Sequence, residues 1–322
     1  MPVLFFCPTR SRHFAPRPTL RLGAALCVSL SVLLQFAACG GRADATVNMI
    51  ADTRGPMRDD FGRQVDLTTR PTRVVSLNPT TTEIIFAIGA QSRLIGRSHW
   101  DKWPAAAKSK PDLGDGIRPN VEQLIAAAPD VVILYATEAN RDASTRLAHA
   151  GIATISLRIN TVQQFDRATR LLARVFGDSL AGAVVADSVE RSLARVRDAT
   201  RDLPHPTVVW RLADRPPIVV GGGSFMNEML QAAGATNLYA QIAEPSPVVS
   251  IEDIVTRDPD VVVIGGDIGA SATSFGAWNA VPAVRQGKVI SVSSDLVARP
   301  SVQMGAAAWA LARALHPRLL LR

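Results

Sequence analysis

Between residues 73 and 160 the chain alternates two hydrophobic rhythms. Short unbroken apolar runs give way to stretches in which apolar positions recur three and four residues apart. The run 73–78 reads as a buried strand ended by Pro79. Thr80, Thr81 and Thr82 offer caps for a helix that continues to Ile88, where Gly89 closes it. Residues 94–96 form a second strand. A helix at 121–127, a strand at 131–135, a helix at 143–150 and a strand at 154–157 continue the alternation. Strands separated by helices favour a parallel sheet covered on both faces, so this stretch predicts an α/β lobe.

The rhythm then changes. From Thr161 to Arg201 there is no proline and only two glycines, Gly177 and Gly182, while Leu171, Leu172, Val175, Val184, Val185, Val189, Leu193 and Val196 keep helical spacing. Gly177-Asp178 marks a stop and a restart, giving one medium helix and one long one. A second α/β lobe follows from about Pro206. Its strands fall at 208–210, 218–220 and 288–292, and its helices run from Ser224 to Ala233 and from Ser301 to Leu315. Trp210, in mid-strand, reads as core.

The two lobes echo each other. Asn120-Val121-Glu122, followed by Pro129-Asp130 and a β-branched strand, returns as Ser250-Ile251-Glu252, Pro259-Asp260 and another such strand. Upstream, Glu83-Ile84-Ile85 with Gly89-Ala90 parallels Glu228-Met229-Leu230 with Gly234-Ala235. Two echoes in the same order imply two related lobes, and a cleft between lobes is where ligands sit. A helical connector resists the dihedral changes of a hinge, so domain motion is expected to be small.

Charge changes this picture little. The net charge is +7, but residues 1–38 hold Arg10, Arg12, Arg17 and Arg21 with no acid, and removing those four charges leaves +3. Neither a dense basic run nor interleaved aromatics follows, which argues against a nucleic-acid partner. Cys7, Cys27 and Cys39 all lie near the N-terminus, so the folded body has no disulfide and no thiolate metal site. The apolar stretch 22–38 behind an arginine-bearing start has the form of an export signal. Phe36-Ala37-Ala38-Cys39-Gly40 resembles the bacterial lipoprotein cleavage box, with phenylalanine where leucine is usual, and plain secretion is the alternative. The expected organisation is a signal peptide at 1–38, a lipid-anchored tether at 39–70 ending in a small strand at 64–67, an N-terminal lobe at 71–160, connecting helices at 161–203 and a C-terminal lobe at 204–322.

From Arg73 to about Leu315 the chain resembles the periplasmic solute-binding proteins of ABC importers for cobalamin, ferric siderophores and haem, the helical-backbone class. The motifs that carry the resemblance are residues 76–83 (Ser-Leu-Asn-Pro-Thr-Thr-Thr-Glu), residues 98–104 (Ser-His-Trp-Asp-Lys-Trp-Pro), the two echoed phrases, and Ser294-Asp295 with Arg299-Pro300. The cobalamin-binding component is the member it most resembles. The resemblance implies two Rossmann-like lobes joined by a single long backbone helix, acting as a monomer in the periplasm with ABC permease subunits as membrane partner. It implies permease docking through Glu122 and Glu252, although a glutamate there can instead cap its own helix. Trp100, Tyr135, Asp295 and Arg299 match ligand contacts of the family, and Trp103 is a further candidate; Asp295 and Arg299 can alternatively pair with each other.

Departures from the cobalamin pattern leave the cargo open. Gly116, Ser246 and Leu212 stand where that relative has aromatics. A ferric siderophore would want cleft arginines, for which Arg97, Arg118, Arg211 and Arg299 are candidates. Haem would want an axial Tyr135 or His99. No resident cofactor or metal is expected. Catalysis is disfavoured, since neither a nucleophile elbow nor a dinucleotide fingerprint occurs; Gly221-Gly222-Gly223-Ser224 lacks the lysine of a phosphate loop and reads as a strand-to-helix turn.

Overall fold

The computed structural model describes residues 57–65, 67, 69–266 and 275–321. The export signal, Cys39 and most of the expected tether lie outside them. Residues 54–322 form one compact unit. It begins earlier than the tether boundary suggests, because β1 (Met57–Arg58) and β2 (Gln64–Val65) make an antiparallel hairpin. Asp59 and Asp60 fasten this hairpin to the first sheet: Asp60 N–H donates to the Ser156 carbonyl at 2.9 Å, and Asp60 Oδ2 accepts from Arg158 N–H at 2.6 Å.

The N-terminal sheet contains β3 (Val74–Ser76), β4 (Leu94–Arg97), β5 (Val131–Tyr135) and β6 (Ala153–Leu157), all parallel, in the order β4-β3-β5-β6. Helices α1 (Pro79–Ala87), α2 (Val121–Ala126) and α3 (Ala139–His149) make the crossovers. The α1 cap is Asn78, whose side chain accepts from Thr80 N–H, rather than one of the threonines, because Pro79 takes the first helical position. Next come α4 (Val162–Phe176) and α5 (Ser179–Thr200), turned at Gly177 with φ +78°. The connection is therefore a helical hairpin, tied by Arg170 to Asp187 at 2.6 Å, in which α5 is the long member. At 1.5 Å per residue its 22 residues span about 33 Å.

The C-terminal sheet contains β7 (Thr207–Asp214), β8 (Pro217–Val219), β9 (Thr236–Asn237), β10 (Val261–Gly265) and β11 (Val289–Val292). The parallel order β9-β7-β10-β11 repeats that of the first sheet. One strand breaks the expected all-parallel pattern. β8 runs antiparallel to β7, since the Arg215-Pro216 turn is too short for a crossover. Helices α6 (Phe225–Ala232), α7 (Ile251–Arg257), α8 (Pro282–Arg285), α9 (Ser294–Val297) and α10 (Met304–Leu315) complete the lobe. The glycine triplet is explained by close packing, because a Cβ on Gly222 would lie 2.0 Å from the Ala240 carbonyl oxygen.

The echoed phrases fold alike in detail. Asn120 and Ser250 cap α2 and α7 through the amides of Gln123 and Asp253. Ala128 and Asp258, each before the proline, take positive φ of 44° and 47°. Asp130 Oδ2 then accepts from the amides of Thr72 and Arg73, and Asp260 Oδ2 from the amide of Thr207, at 2.7–2.8 Å. The Thr207 hydroxyl, the leading cause at Asp260, and these amide bonds favour the charged form and hold both carboxyls below their ordinary range.

One apolar core runs from Val74 and Ile133, through Phe165, Leu172, Val189 and Leu193 of the helical hairpin, to Trp210, Met229 and Leu311. Each sheet has a separate outer cluster, around Leu124 and Leu147 in the first and around Ile254 and Trp278 in the second. A spine buried against both lobes couples them more firmly than a loop would.

Candidate functional site

The strand ends of the two lobes face a shared cavity of about 240 Å³, lined by Asn78, Thr80, Tyr135 and Asn160 on one side and by Leu212, Met226, Ser246 and Arg299 on the other. Parallel strands present their carboxyl ends to such crevices. Tyr135 is the last residue of β5, and burial pushes its phenol pKa up, with the Asp101 carboxylate adding to the effect. It is a neutral hydrogen-bonding group at any ordinary pH.

Arg299 reaches the cavity from the turn after α9, but it pairs with Glu83 rather than Asp295. Its Nε donates to Glu83 Oε1 at 2.6 Å, and Nη2 approaches the same oxygen. The Ser301 hydroxyl donates to Glu83 Oε2. Glu83 is 0% exposed, and burial raises its pKa despite the opposing effects of Arg299, Ser301 and the Val302 amide. Thr80 adds a hydroxyl bond to the Pro300 carbonyl at 2.8 Å. This inter-lobe clamp carried one faint sequence signal: a glutamate beside Ile84 and Ile85 on a helix that buries this face needs a partner.

Below the cleft, Thr82 donates to Ser76 at 2.9 Å and lies 3.1 Å from Asp101 Oδ2, which also accepts the Ser98 amide at 2.9 Å. Asp101 Oδ1 is buried without a partner. Burial outweighs these bonds and the nearby Arg97, pushing the Asp101 pKa up to about 6.

The remaining candidates separate. Asp295 faces Lys102 of the first lobe at 3.8 Å across the mouth of the cleft, which corrects the alternative of an Asp295–Arg299 pair. Trp100 and Trp103 flank Lys102 on the same loop, 54% and 38% exposed, and neither lines the cavity. The His99 ring lies tilted against Trp100, with centroids 4.6 Å apart and planes 52° apart. Gly116 leaves no room for a side chain, since a Cβ would lie 1.8 Å from the Leu77 carbonyl oxygen. Arg97 is spent on the Ala107 and Ser98 carbonyls, and Arg118 is exposed. Arg211 lines a neighbouring cavity.

Glu122 and Glu252 occupy the same position in the first turns of α2 and α7, both exposed. Their helices are capped by Asn120 and Ser250; Glu122 pairs with Arg146 of α3, and its pKa is lowered by backbone hydrogen bonding first and by that arginine next. Glu252 borders an open hollow with Arg215 and Ile251. Among the described residues no cluster of three His, Cys, Asp or Glu is placed to hold a metal ion, and no helix is long and apolar enough to cross a membrane.

Two duplicated α/β lobes, a helical spine and a polar inter-lobe cavity define a two-lobed solute-binding protein. The chain belongs to the periplasmic binding protein family, whose model matches residues 74–296. It is 26% identical over 230 residues to the vitamin B12-binding protein of Vibrio parahaemolyticus, covering 71% of this chain and 84% of that one. It is 26% identical over 305 residues to an uncharacterised ABC transporter substrate-binding lipoprotein of Bacillus subtilis, covering 89% and 95%. The periplasmic heme-binding protein RhuT from Roseiflexus sp. RS-1 in apo form superposes with a TM-score of 0.67 at 24% identity, over 77% of this chain and 98% of that one.

Proposed function

We propose that the protein captures a corrinoid, cobalamin or a close relative, between its lobes and delivers it to the membrane subunits of an ABC importer. The observation that carries this reading is the cavity that sets Tyr135 of one lobe and Arg299 of the other among the polar groups of Asn78, Thr80, Asn160 and Ser246. A corrinoid presents a flat face ringed by amides, which suits neutral donors and acceptors flanked by aromatic surface. The cavity is smaller than the macrocycle. The ligand therefore lies across its mouth, with peripheral amides reaching inward and the exposed Trp100 and Trp103 available to its face.

Tyr135 suits a corrinoid, because a protonated phenol at the end of β5 donates to a peripheral amide. Arg97 and Arg299 are already engaged within the protein, which weighs against a siderophore needing several free arginines. The similarity to the Vibrio vitamin B12-binding protein supports the same cargo.

The protein acts as a monomer, exported with loss of residues 1–38 and held at the membrane by lipid on Cys39; the lipoprotein relative supports the anchor. Two acyl chains or more give durable anchoring, each buried methylene adding about 0.8 kcal/mol. Glu122 and Glu252 dock the two lobes onto a two-fold permease. Titration of the purified protein with cyanocobalamin, cobinamide, haem and ferric hydroxamates, read by tryptophan quenching, tests the cargo. Saturable binding of the corrinoids is expected. Binding of haem or hydroxamate alone would overturn the reading.

A further inference from the structure

We propose that a second cavity, built around Arg211 and adjoining the cleft, is a subsite for an oxyanion carried by the cargo: a phosphodiester or a carboxylate. The inference rests on the reading of the cleft as a macrocycle site. The cavity measures about 290 Å³ and adjoins the first, with Leu212, Met226 and Ala298 lining both.

Arg211 is held ready rather than used up. Its side chain is 10% exposed, and its guanidinium lies 5.1 Å from the Phe275 ring centroid and 5.7 Å from that of Trp278. Aromatic faces fix the plane of a guanidinium without consuming its N–H donors. Nη1 is buried with no hydrogen-bond partner. Asp214, which also lines the cavity, forms an ion pair with Nη1 at 3.2 Å without hydrogen-bond geometry, and half of that carboxylate faces water, where an incoming oxyanion would have to displace it. A buried guanidinium with an unmatched donor is costly, and a bidentate oxyanion is the group that best matches its fork. Ser294 contributes a hydroxyl to the same cavity. In the cleft itself Arg299 is already engaged by Glu83, so the charge recognition left to this lobe falls to Arg211.

The test uses two ligand pairs that differ in the anion. Cyanocobalamin carries a phosphodiester that cobinamide lacks, and haem carries two carboxylates that its dimethyl ester lacks. Affinities are measured for the wild type, Arg211→Met and Arg211→Lys. In one pair the wild type is expected to prefer the anionic member by about tenfold or more, and that pair names the source of the oxyanion. Arg211→Met should erase the preference, and Arg211→Lys, which keeps charge but loses the fork, should retain part of it. A wild type without preference in either pair overturns the subsite, as does a preference that survives in Arg211→Met. If Arg211→Met does not fold, the wild-type pairs and Arg211→Lys decide, and a lysine variant with full preference overturns it. A wild type that binds none of the four defeats the proposed cargo, and the subsite with it; binding all four alike defeats the subsite alone.

Discussion

Glu83 and Glu228 occupy the same place in the echoed helices α1 and α6, and each carboxylate reaches out of its own lobe to a donor at or just ahead of the start of a helix on the other side. Glu83 accepts from the Ser301 hydroxyl, just ahead of α10, and Glu228 accepts from the amide of Val162, the first residue of α4. The reciprocity extends three residues upstream: Thr80 bonds the Pro300 carbonyl, and the Phe225 amide bonds the Asn160 carbonyl. Burial raises the pKa of both glutamates, the expected cost of placing carboxylates at such a junction.

Arg299→Met should leave Glu83 buried without its cation and destabilise the protein by roughly 3–5 kcal/mol. The double variant Glu83→Gln/Arg299→Met should lose less than that single variant. Urea unfolding of the wild type, both single variants and the double variant closes the cycle. Additive losses would show that the two side chains are not coupled.

Acid should act on Asp101 and Asp260 in opposite senses. The folded pKa of Asp101 is raised to about 6, so the native state holds its proton more tightly than the unfolded chain and stability falls as pH rises through 6. That shift corresponds to on the order of 3 kcal/mol. Asp101→Asn should therefore gain in melting temperature relative to wild type between pH 4 and pH 8. Asp260 has a lowered pKa; its stabilisation is present above the ordinary carboxylate value and fades as pH falls through the folded one. Asp260→Asn should be destabilised at neutral pH, with a deficit that shrinks in acid. Parallel melting curves of wild type and Asp101→Asn across this range would refute the first assignment, and an Asp260→Asn deficit that stays constant below about pH 4 would refute the second.

The lobes and the spine were legible because their signals are local. Apolar rhythm, capping residues and the two glycine stops, Gly89 and Gly177, act within a few residues of chain. The strand at 64–67 was legible, but its partner β1 escaped notice because a two-residue strand has no periodicity, and what holds the hairpin is Asp59 and Asp60 meeting residues almost a hundred positions away. The same limit applies to the site. Tyr135 stands at the end of a readable strand, whereas the partner of Arg299 is Glu83, 216 residues earlier. Sequence spacing cannot show that Trp100 and Trp103 lie outside the cavity, because loop direction is set by tertiary packing.

Reversing both Glu122 and Glu252 to lysine should abolish uptake in cells while leaving ligand affinity within about twofold, since exposed carboxylates contribute little to the fold but can set docking register. Transport and equilibrium binding of the double variant are the paired measurements. Loss of binding would place these residues in the fold or the cleft instead.

Gly116→Ala should destabilise the protein and weaken ligand binding together. Its new methyl would meet the Leu77 carbonyl and press on the Tyr135 ring, whose nearest atom would be 3.1 Å away. Thermal melting and titration of the same preparation check this. Wild-type affinity at a wild-type melting temperature would show that the backbone there yields freely.

The crossed carboxylates of Glu83 and Glu228 bear on how such a molecule can be divided. Each half owns a sheet of its own, yet each keeps one carboxylate whose hydrogen-bond donors lie in the opposite half. Severed at the Gly177 turn, the fragments would be expected to stay soluble and ordered only when mixed, reassembling as a complementing pair rather than surviving as independent modules.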